Sequence, residues 1–509
     1  MAVIEIDMQK SVLFIYPNTT SIPVIPGAIP ILSGIAHSRG WISYFFDAYH
    51  YEVFRNGQSR SSSAEFKPIT DSAPREVLPA EQLIADLQAL INDVKPDIVA
   101  VSCMTIDYEF LSQFWHDITL LTETVTIIGG LHAIICSSDI VKDGFFDIIC
   151  MGEGEEVFAE LLANIESGMA ISDIVGTISI DRQTQTAKNN GRRNLIAPDK
   201  LWVTDQDYSI FSNEYFIYPF DGRTYRRFAF EVARGCAYSC TYCGNTALKN
   251  AYAGLGKFVR QRPVDSVIAG MLKVMDDRDI ELFYLMDECF LGHPIKWLQE
   301  FSSKYAEFIR LPFIVQTRPE TITPEKLDLL DAMGAPFWQV SMGVESGSER
   351  ILFDVCNRRT RKERIRQAFA MLNERNIRTS AFFMIGFPYE TREEIFETIE
   401  LCRDIRPTVA IVSIFQPLPG QELRDVCIRE GFISGNEPQI SFTEGSILQM
   451  PQISAKDILN LRRVFMLYAS LPAKYTHQIE QCEHNFEENR GLYDDLVALR
   501  WQLEKASKG

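Results

Sequence analysis

The sequence predicts an α/β protein with two successive sheet-containing domains: a doubly wound parallel sheet, then a parallel sheet curled into a partial barrel, followed by a small helical region. Three observations carry this. Short β-branched apolar runs alternate with helical stretches from residue 11 to about 168. The same alternation resumes from about 228 to 420. A length of 509 residues allows about three domains at roughly 100 to 200 residues each.

In the first region, strands are expected at 12–15, 42–46, 98–101, 125–128 and 148–150. Between them Leu83, Ile84, Leu87, Leu90, Ile91 and Val94 recur at a helical period on one face. Runs that are apolar on both faces belong to parallel sheets covered by helices. Ligands of such sheets sit beyond the carboxyl ends of the strands, which points to residues 16–20, Asp47, Ser102 with Cys103 and Met104, residues 129–132 and residues 152–155. The serine-rich stretch 57–64 reads as a surface loop. Residues 171–225 read as a polar hairpin followed by an aromatic-rich linker.

The second region places strands at 228–232, 282–286, 313–316, 339–344, 380–385 and 409–415. Thr323-Pro324 supplies a helix cap with a first-turn proline, and Thr391 with Glu394 makes a capping box. In barrels of this kind the chemistry gathers where strands end. Residues 434–509 are mainly helical and acidic, with Leu459, Leu461, Val464, Leu467 and Tyr468 on apolar faces. The expected domains are 1–170, a linker at 171–225, 226–433 and 434–509.

With 46% hydrophobic and 23% charged residues, the composition is that of a globular chain and excludes wholesale disorder, collagen and a disulfide-built mini-domain. A net charge of −18 disfavours a general nucleic-acid or anionic-membrane surface. No apolar run approaches the roughly 20 residues of a membrane span. The first residues carry acids where a signal peptide would carry Lys or Arg, so a cytoplasmic location is expected. Eleven scattered cysteines do not make a secreted disulfide framework.

Cys236, Cys240 and Cys243 form C-x3-C-x2-C just after the first strand of the second region. Thiolates at this spacing can converge on one cubane cluster and leave one of its four irons open to a small molecule. The competing readings are a zinc site short of a fourth ligand, for which Cys289 and His293 are poorly spaced, and three unrelated buried thiols. Here the sequence resembles the radical S-adenosylmethionine (SAM) enzymes, whose signature is this spacing with an aromatic residue, here Tyr242, before the third Cys. The resemblance covers about residues 225 to 430.

It implies a 4Fe-4S cluster on Cys236, Cys240 and Cys243 whose open iron chelates SAM, with reductive cleavage to a 5'-deoxyadenosyl radical. Segments 286–288, 343–348 and 383–388 match as well. By resemblance Glu288 lies near the SAM amino group and Glu345 near the ribose hydroxyls, roles that suit carboxylates. Tyr242, Asp287 and Ser341 join them in the cofactor-binding set. For Asp287 and Glu345 a purely structural ion pair or cap is the alternative.

A nicotinamide site in the first region, with Asp47 on the ribose, would need G-x-G-x-x-G at residues 16–20, where no glycine stands. The proline-rich 22–27, Gly129-Gly130-Leu131-His132 and the 151–156 segment, upstream of a radical SAM region, resemble the cobalamin-binding domain of the cobalamin-dependent radical SAM enzymes. This makes the first domain Rossmann-like and the second a (β/α)6 TIM-type radical SAM barrel. The implied cobalamin contacts are Ser102, Gly129, Gly130, His132, Gly152, Glu153 and Gly154. Gly129 and Gly130 would let the backbone approach the nucleotide tail, or serve an ordinary turn. The D-x-H-x-x-G motif of histidine-ligated cobalamin is missing. Its nearest approach, 35–40, has Ile35 in place of Asp, so His37 reads as a helix residue and cobalamin as base-off without a histidine ligand.

The resemblance implies methylation of an unactivated carbon, or of phosphinate phosphorus, in a small metabolite: one SAM methylates cobalamin and a second generates the substrate radical. A radical SAM/cobalamin cyclase or rearrangement enzyme is the alternative, and a cobalamin-binding regulatory protein with a structural cluster is the alternative from another class. A methylthiotransferase would need an additional cluster domain and an RNA-facing basic appendage, and the tail here is acidic. Cys289 and Cys356 read as buried thiols rather than hydrogen donors. The expected partners are a small substrate and an external reductant of flavodoxin or ferredoxin type, without nucleic acid or membrane.

Overall fold

The β-branched runs form strands where a parallel sheet can bury both of their faces. The computed structural model describes residues 9–20, 23–53, 65, 77–201 and 205–508. The loop reading of 57–64 therefore lies outside the described residues, as does Ile22 of the proline-rich segment. Two compact units are formed: Met1–Asn56, Pro74–Tyr215 and Ala247–Phe258 in one, Gly57–Ala73, Phe216–Thr246 and Val259–Gly509 in the other.

The first unit contains a seven-stranded sheet in the order β2-β1-β3-β4-β5-β6-β7. Its strands are β1 (Ser11–Tyr16), β2 (Ile42–Asp47), β3 (Ile98–Ser102), β4 (Val125–Gly129), β5 (Ile148–Cys150), β6 (Thr177–Ile180) and β7 (Ala187–Asn189). Its helices are α1 (Ala28–Ser38), α2 (Gln82–Val94), α3 (Thr105–Phe114), α4 (Leu131–Ile135), α5 (Ser137–Asp143) and α6 (Gly154–Ser167). Strands β1 to β5 pair in parallel. Because β1 lies between β2 and β3, strand order reverses there, the position at which sheets of this kind bind their ligands. The core joins Leu13, Ile15, Val99, Val101, Ile128 and Ile149 to the Leu83, Leu87 and Ile91 face of α2.

The hairpin expected within the linker extends this sheet. Strand β6 pairs antiparallel with β5 and β7 with β6. Ile178 and Ile180 enter the same core, whereas β7 is exposed along its length and forms a polar edge.

In the second unit the order is β16-β15-β14-β13-β12-β9-β8. Six parallel strands make the curled sheet: β9 (Arg223–Glu231), β12 (Leu282–Met286), β13 (Phe313–Thr317), β14 (Trp338–Glu345), β15 (Arg378–Ile385) and β16 (Val409–Ile414). Strand β8 (Ile217–Phe220) pairs antiparallel with β9. Strands β8 and β16 end the order without pairing to each other, so the barrel is open. A small antiparallel pair, β10 (Ala233–Arg234) with β11 (Arg260–Gln261), follows β9. The helix after the cysteines is α7 (Gly244–Ala251), and α8 (Val264–Arg278), α9 (Ile295–Phe308), α10 (Pro324–Asp331), α11 (Lys362–Glu374) and α12 (Arg392–Ile405) connect the strands.

Both expected caps form. Thr323 accepts from Lys326 N at 3.3 Å, and Thr391 and Glu394 bond reciprocally. After α13 (Glu422–Arg429) come α14 (Ala455–Ser470), α15 (Thr476–His484) and α16 (Arg490–Lys508). The buried face of α14 includes Leu461, Val464, Leu467 and Tyr468. From it Arg462 reaches the Val412 carbonyl of β16 at 3.1 Å. Among the described residues, no helix is long and apolar enough to cross a membrane.

Candidate active site

Strand β9 ends at Glu231, opposite Met286 at the end of β12, and the chain turns at Gly235 (φ 84°) into the cysteine segment. Several elements that follow in sequence pin this segment. Thr241 donates from Oγ1 to the Val355 carbonyl (2.6 Å) and from N to that of Cys356 (3.3 Å). Asn357 Nδ2 reaches the Ser239 carbonyl at 2.9 Å, and Gln421 Nε2 reaches that of Tyr242 at 2.6 Å. Cys240 is buried, Cys236 and Cys243 are half-buried, and none of the three is in a disulfide.

Burial pushes the Cys236 thiol up to about 11 and raises that of Cys243, with the Glu288 carboxylate adding to both. The Arg318 guanidinium donates from Nη1 to Cys240 Sγ at 3.3 Å, and its Cζ lies 3.7 Å from the centre of the Tyr238 ring. Three thiols on one pinned segment, with a guanidinium hydrogen-bonded to one sulfur, fit the donor set of a cluster that stays negative when ligated.

Around the thiols the structure places the residues expected on SAM as follows. The Tyr242 ring packs edge-on to Phe387, with centroids 5.7 Å apart. Its hydroxyl is 3.4 Å from Arg358 Nη1. Glu345 closes β14 in the left-handed region at φ 68°, where the pairing with β15 shifts register. Its Oε1 is also 3.4 Å from Arg358 Nη1. Burial raises the pKa of Glu345, and the Arg358 charge partly offsets this. Ser341 is buried within β14, its hydroxyl 3.4 Å from Gln339 Nε2. Glu288 is exposed. Asp287 turns away into a structural pair, accepting from Cys289 N at 2.8 Å and bonding His293 Nε2. His293 in turn stacks on Trp297.

Sequence reasoning missed Arg318, Arg358 and Glu390. Arg358 is only 4% exposed in its side chain, donates to the Gly343 carbonyl, and its Nε has no hydrogen-bond partner among the described residues. Glu390 is fully buried and accepts from Gly386 N (2.6 Å) and Phe387 N (3.2 Å), which fixes the turn carrying Phe387 against Tyr242. Burial raises its pKa to about 8. Single charged residues after strands have no periodic signature; only the position of Arg318, one residue beyond β13, hinted at a role.

In the first unit, small residues end adjacent strands. Ser102 lies opposite Gly129, and Gly152 follows β5 with the Tyr252 ring 3.8 Å from where its Cβ would stand. Gly130 has a different reason to be glycine: its φ is 98°, and a Cβ there would meet the Cys103 carbonyl oxygen at 2.5 Å. The turn is required by the approach of the loop after β3. Glu153 accepts from Ile196 N at 2.9 Å, and Gly154 opens α6. His37 is exposed on α1. His132 is buried with its ring stacked on Tyr108.

Two further acids of this unit are buried, Asp47 at the end of β2 and Asp107 in the first turn of α3. Asp47 accepts from Tyr49 N and from the Tyr215 hydroxyl, both at 2.8 Å, and burial pushes it up to about 7. Asp107, absent from the sequence reading, accepts from Thr19 and Met104 and is pushed up to about 6 by burial.

The Radical SAM superfamily model matches residues 230–402 and the B12 binding domain model matches residues 74–162. An anaerobic magnesium-protoporphyrin IX monomethyl ester cyclase of Rubrivivax gelatinosus is 25% identical over 338 residues, 65% of this chain and 59% of the cyclase. The chain thus spans less than two thirds of that relative's length. Cytidylyl-2-hydroxyethylphosphonate methyltransferase of Streptomyces wedmorensis is 22% identical over 406 residues, 71% of this chain and 72% of the relative. Among solved structures, the radical S-adenosylmethionine methyltransferase TsrM of Kitasatospora setae, with cobalamin and a [4Fe-4S] cluster bound, aligns with a TM-score of 0.59 at 17% identity, covering 83% of this chain and 76% of TsrM. The cobalamin-dependent SAM radical enzyme OxsB, with aqua-cobalamin and SAM bound, gives 0.62 at 14% identity, covering 97% of this chain and 71% of OxsB. At these identities the likeness to both structures is one of fold.

Proposed function

The chain belongs to the cobalamin-dependent radical SAM enzymes, and from that premise we propose that it is a methyltransferase acting on an unactivated carbon, or phosphinate phosphorus, of a small metabolite. The observation that carries the reading is the pinned thiol segment at the end of β9, with Arg318 hydrogen-bonded to one of its sulfurs, in a chain that also has a B12-binding domain. When bound, the cluster, SAM and cobalamin supply an adenosyl radical and a transferable methyl group.

The protein's own residues divide the remaining work. Cys236, Cys240 and Cys243 ligate the cluster, and the N–H of Arg318 stabilises electron density on Cys240 Sγ, which favours the reduced state. Arg358, a buried cation with a spare N–H, pairs with the SAM carboxylate; exposed Glu288 accepts from its ammonium; Glu345 accepts from the ribose hydroxyls. Tyr242 and Phe387 wall the site, Glu390 holds Phe387 in place, and Asp287 shapes the loop after β12 through His293. In the first unit Ser102, Gly129, Gly130, Gly152, Glu153 and Gly154 border a base-off cobalamin without a histidine ligand. Electrons come from a flavodoxin or ferredoxin type donor.

Methyl transfer is supported by the phosphonate methyltransferase, which matches over 72% of its length, against 59% for the cyclase. Cyclisation is the second reading, because the cyclases are the more identical relatives. Anaerobic reconstitution with iron, sulfide and cobalamin, followed by incubation with SAM, dithionite and candidate metabolites, separates the two. Methylation yields S-adenosylhomocysteine together with 5'-deoxyadenosine. Deoxyadenosine alone with a cyclised product would transfer the chain to the cyclase reading.

A further inference from the structure

We propose that His132, Cys136 and Asp139 of the first unit form a transition-metal site suited to Zn2+, separate from the cluster thiols and independent of the methyl-transfer reading. One donor atom from each residue lies within 4.8 Å of the other two. The local fold explains the convergence. Cys136 is the joint between α4 and α5, serving as C-cap of one and N-cap of the other at φ −119° and ψ 31°. Spacings of four and three residues bring His132 at the start of α4 and Asp139 in the first turn of α5 to the same side of that joint.

The state of the imidazole points to a ligand. The His132 residue is 4% exposed, its ring stacks on Tyr108 at 4.3 Å, and Nδ1 sits 3.4 Å from Thr105 Oγ1. A proton on Nδ1 can serve that hydroxyl, which leaves the lone pair on Nε2. Nε2 is buried and has no hydrogen-bond partner among the described residues. An orphan nitrogen of this kind costs about 1 to 3 kcal/mol unless something fills it. Burial keeps the ring neutral down to about 4, although Asp139 and Asp143 both favour its charged form. Asp143 is itself occupied, accepting from the Tyr108 hydroxyl at 2.5 Å, and so fixes the ring on which His132 stacks. A neutral imidazole oriented through its other nitrogen is the form that binds metals.

Cys136 contributes a buried sulfur and Asp139 an exposed carboxylate, whose nearest cation is Lys142 at 3.4 Å on the surface. One N, one S and one O donor suit Zn2+ or Co2+, with water as a fourth ligand. Tetrahedral ligands at about 2.0 to 2.3 Å from zinc lie about 3.5 Å apart, so binding would draw the donors inward by no more than roughly 1.3 Å. The metal would staple the α4–α5 joint below the Gly129-Gly130 turn. Other occupants of the Nε2 lone pair, the cobalamin tail included, are outcomes of the test.

The probe is Co2+ added to the full-length, corrin-free chain carrying Cys236→Ala, Cys240→Ala and Cys243→Ala, so that the cluster ligands take no metal. The expected result is about one equivalent bound with a thiolate-to-cobalt charge-transfer band that Zn2+ abolishes. Affinity should fall about 10- to 100-fold or more in His132→Ala, in Cys136→Ser and in Asp139→Asn. The last substitutes an exposed residue and leaves the fold unthreatened. Absence of the band, or a band indifferent to all three substitutions, overturns the proposal. So does a His132→Ala chain that binds Co2+ normally and instead loses cobalamin, since that assigns Nε2 to the cofactor tail.

Discussion

Where its strands end, the first sheet offers Ser102, Gly129 and Gly152, whereas the second offers Glu231, Glu288 and Glu345 around three thiols. The buried acids differ in the same way. Asp47 and Asp107 are met by neutral donors, and burial leaves them near 7 and 6. In the second unit Glu345 and Glu320 face the guanidinium groups of Arg358 and Arg318. Under the proposed function, the first unit would receive a large ligand against small residues at its strand ends, and the second would hold small charged groups through thiols and fixed charges. Loss of a donor should therefore be decisive in the second unit, and loss of space decisive in the first.

The largest effect is expected from Cys236→Ala, Cys240→Ala and Cys243→Ala together. Iron and sulfide should vanish on analysis and deoxyadenosine should fall by about three orders of magnitude, while corrin content stays unchanged. Coupled loss of corrin would break the division of labour. Gly130→Val reverses the pattern: strain at φ 98° plus the contact with Cys103 should cost about 2 to 3 kcal/mol. In denaturant titration the first unit should weaken and corrin retention drop, with iron retained. Arg358→Met should weaken SAM binding about 10- to 100-fold by equilibrium dialysis, the worth of one charge-assisted pair.

The smallest effect concerns pH. Burial raises Asp47 in the fold from 3.8 to about 7, so its contribution is fully present below about pH 4 and is lost as pH rises through 7. The slope should not exceed about 1.4 kcal/mol per pH unit. Asp47→Asn should lessen the slope across that window and remove most of it between about pH 6 and 7, with Asp107 still contributing up to about 6; an unchanged slope would place the titration elsewhere.

Strand positions were readable because β-branched runs have few other uses, and 148–150 matches β5 at both ends. That the 177–189 hairpin joins the first sheet was not readable, since nothing local to a hairpin says which edge will accept it. The thiols were legible because all three ligands share one short segment. Arg318 was not: it meets Cys240 across 78 residues, a relation created only by the parallel strand order. Asp287 stood in the expected cofactor set with a structural pair as its alternative, and the structure pairs it with His293, six residues on. For His132 the sequence left contact with the cofactor tail and a core or surface histidine equally open; its ring lies on Tyr108 beside Thr105.

The most direct test is electron paramagnetic resonance of the anaerobically reconstituted, dithionite-reduced enzyme with and without SAM. The account predicts a reduced cluster signal whose g-values shift on addition of SAM. A signal that stays the same at saturating SAM would mean that no iron is open to it, and would contradict the account.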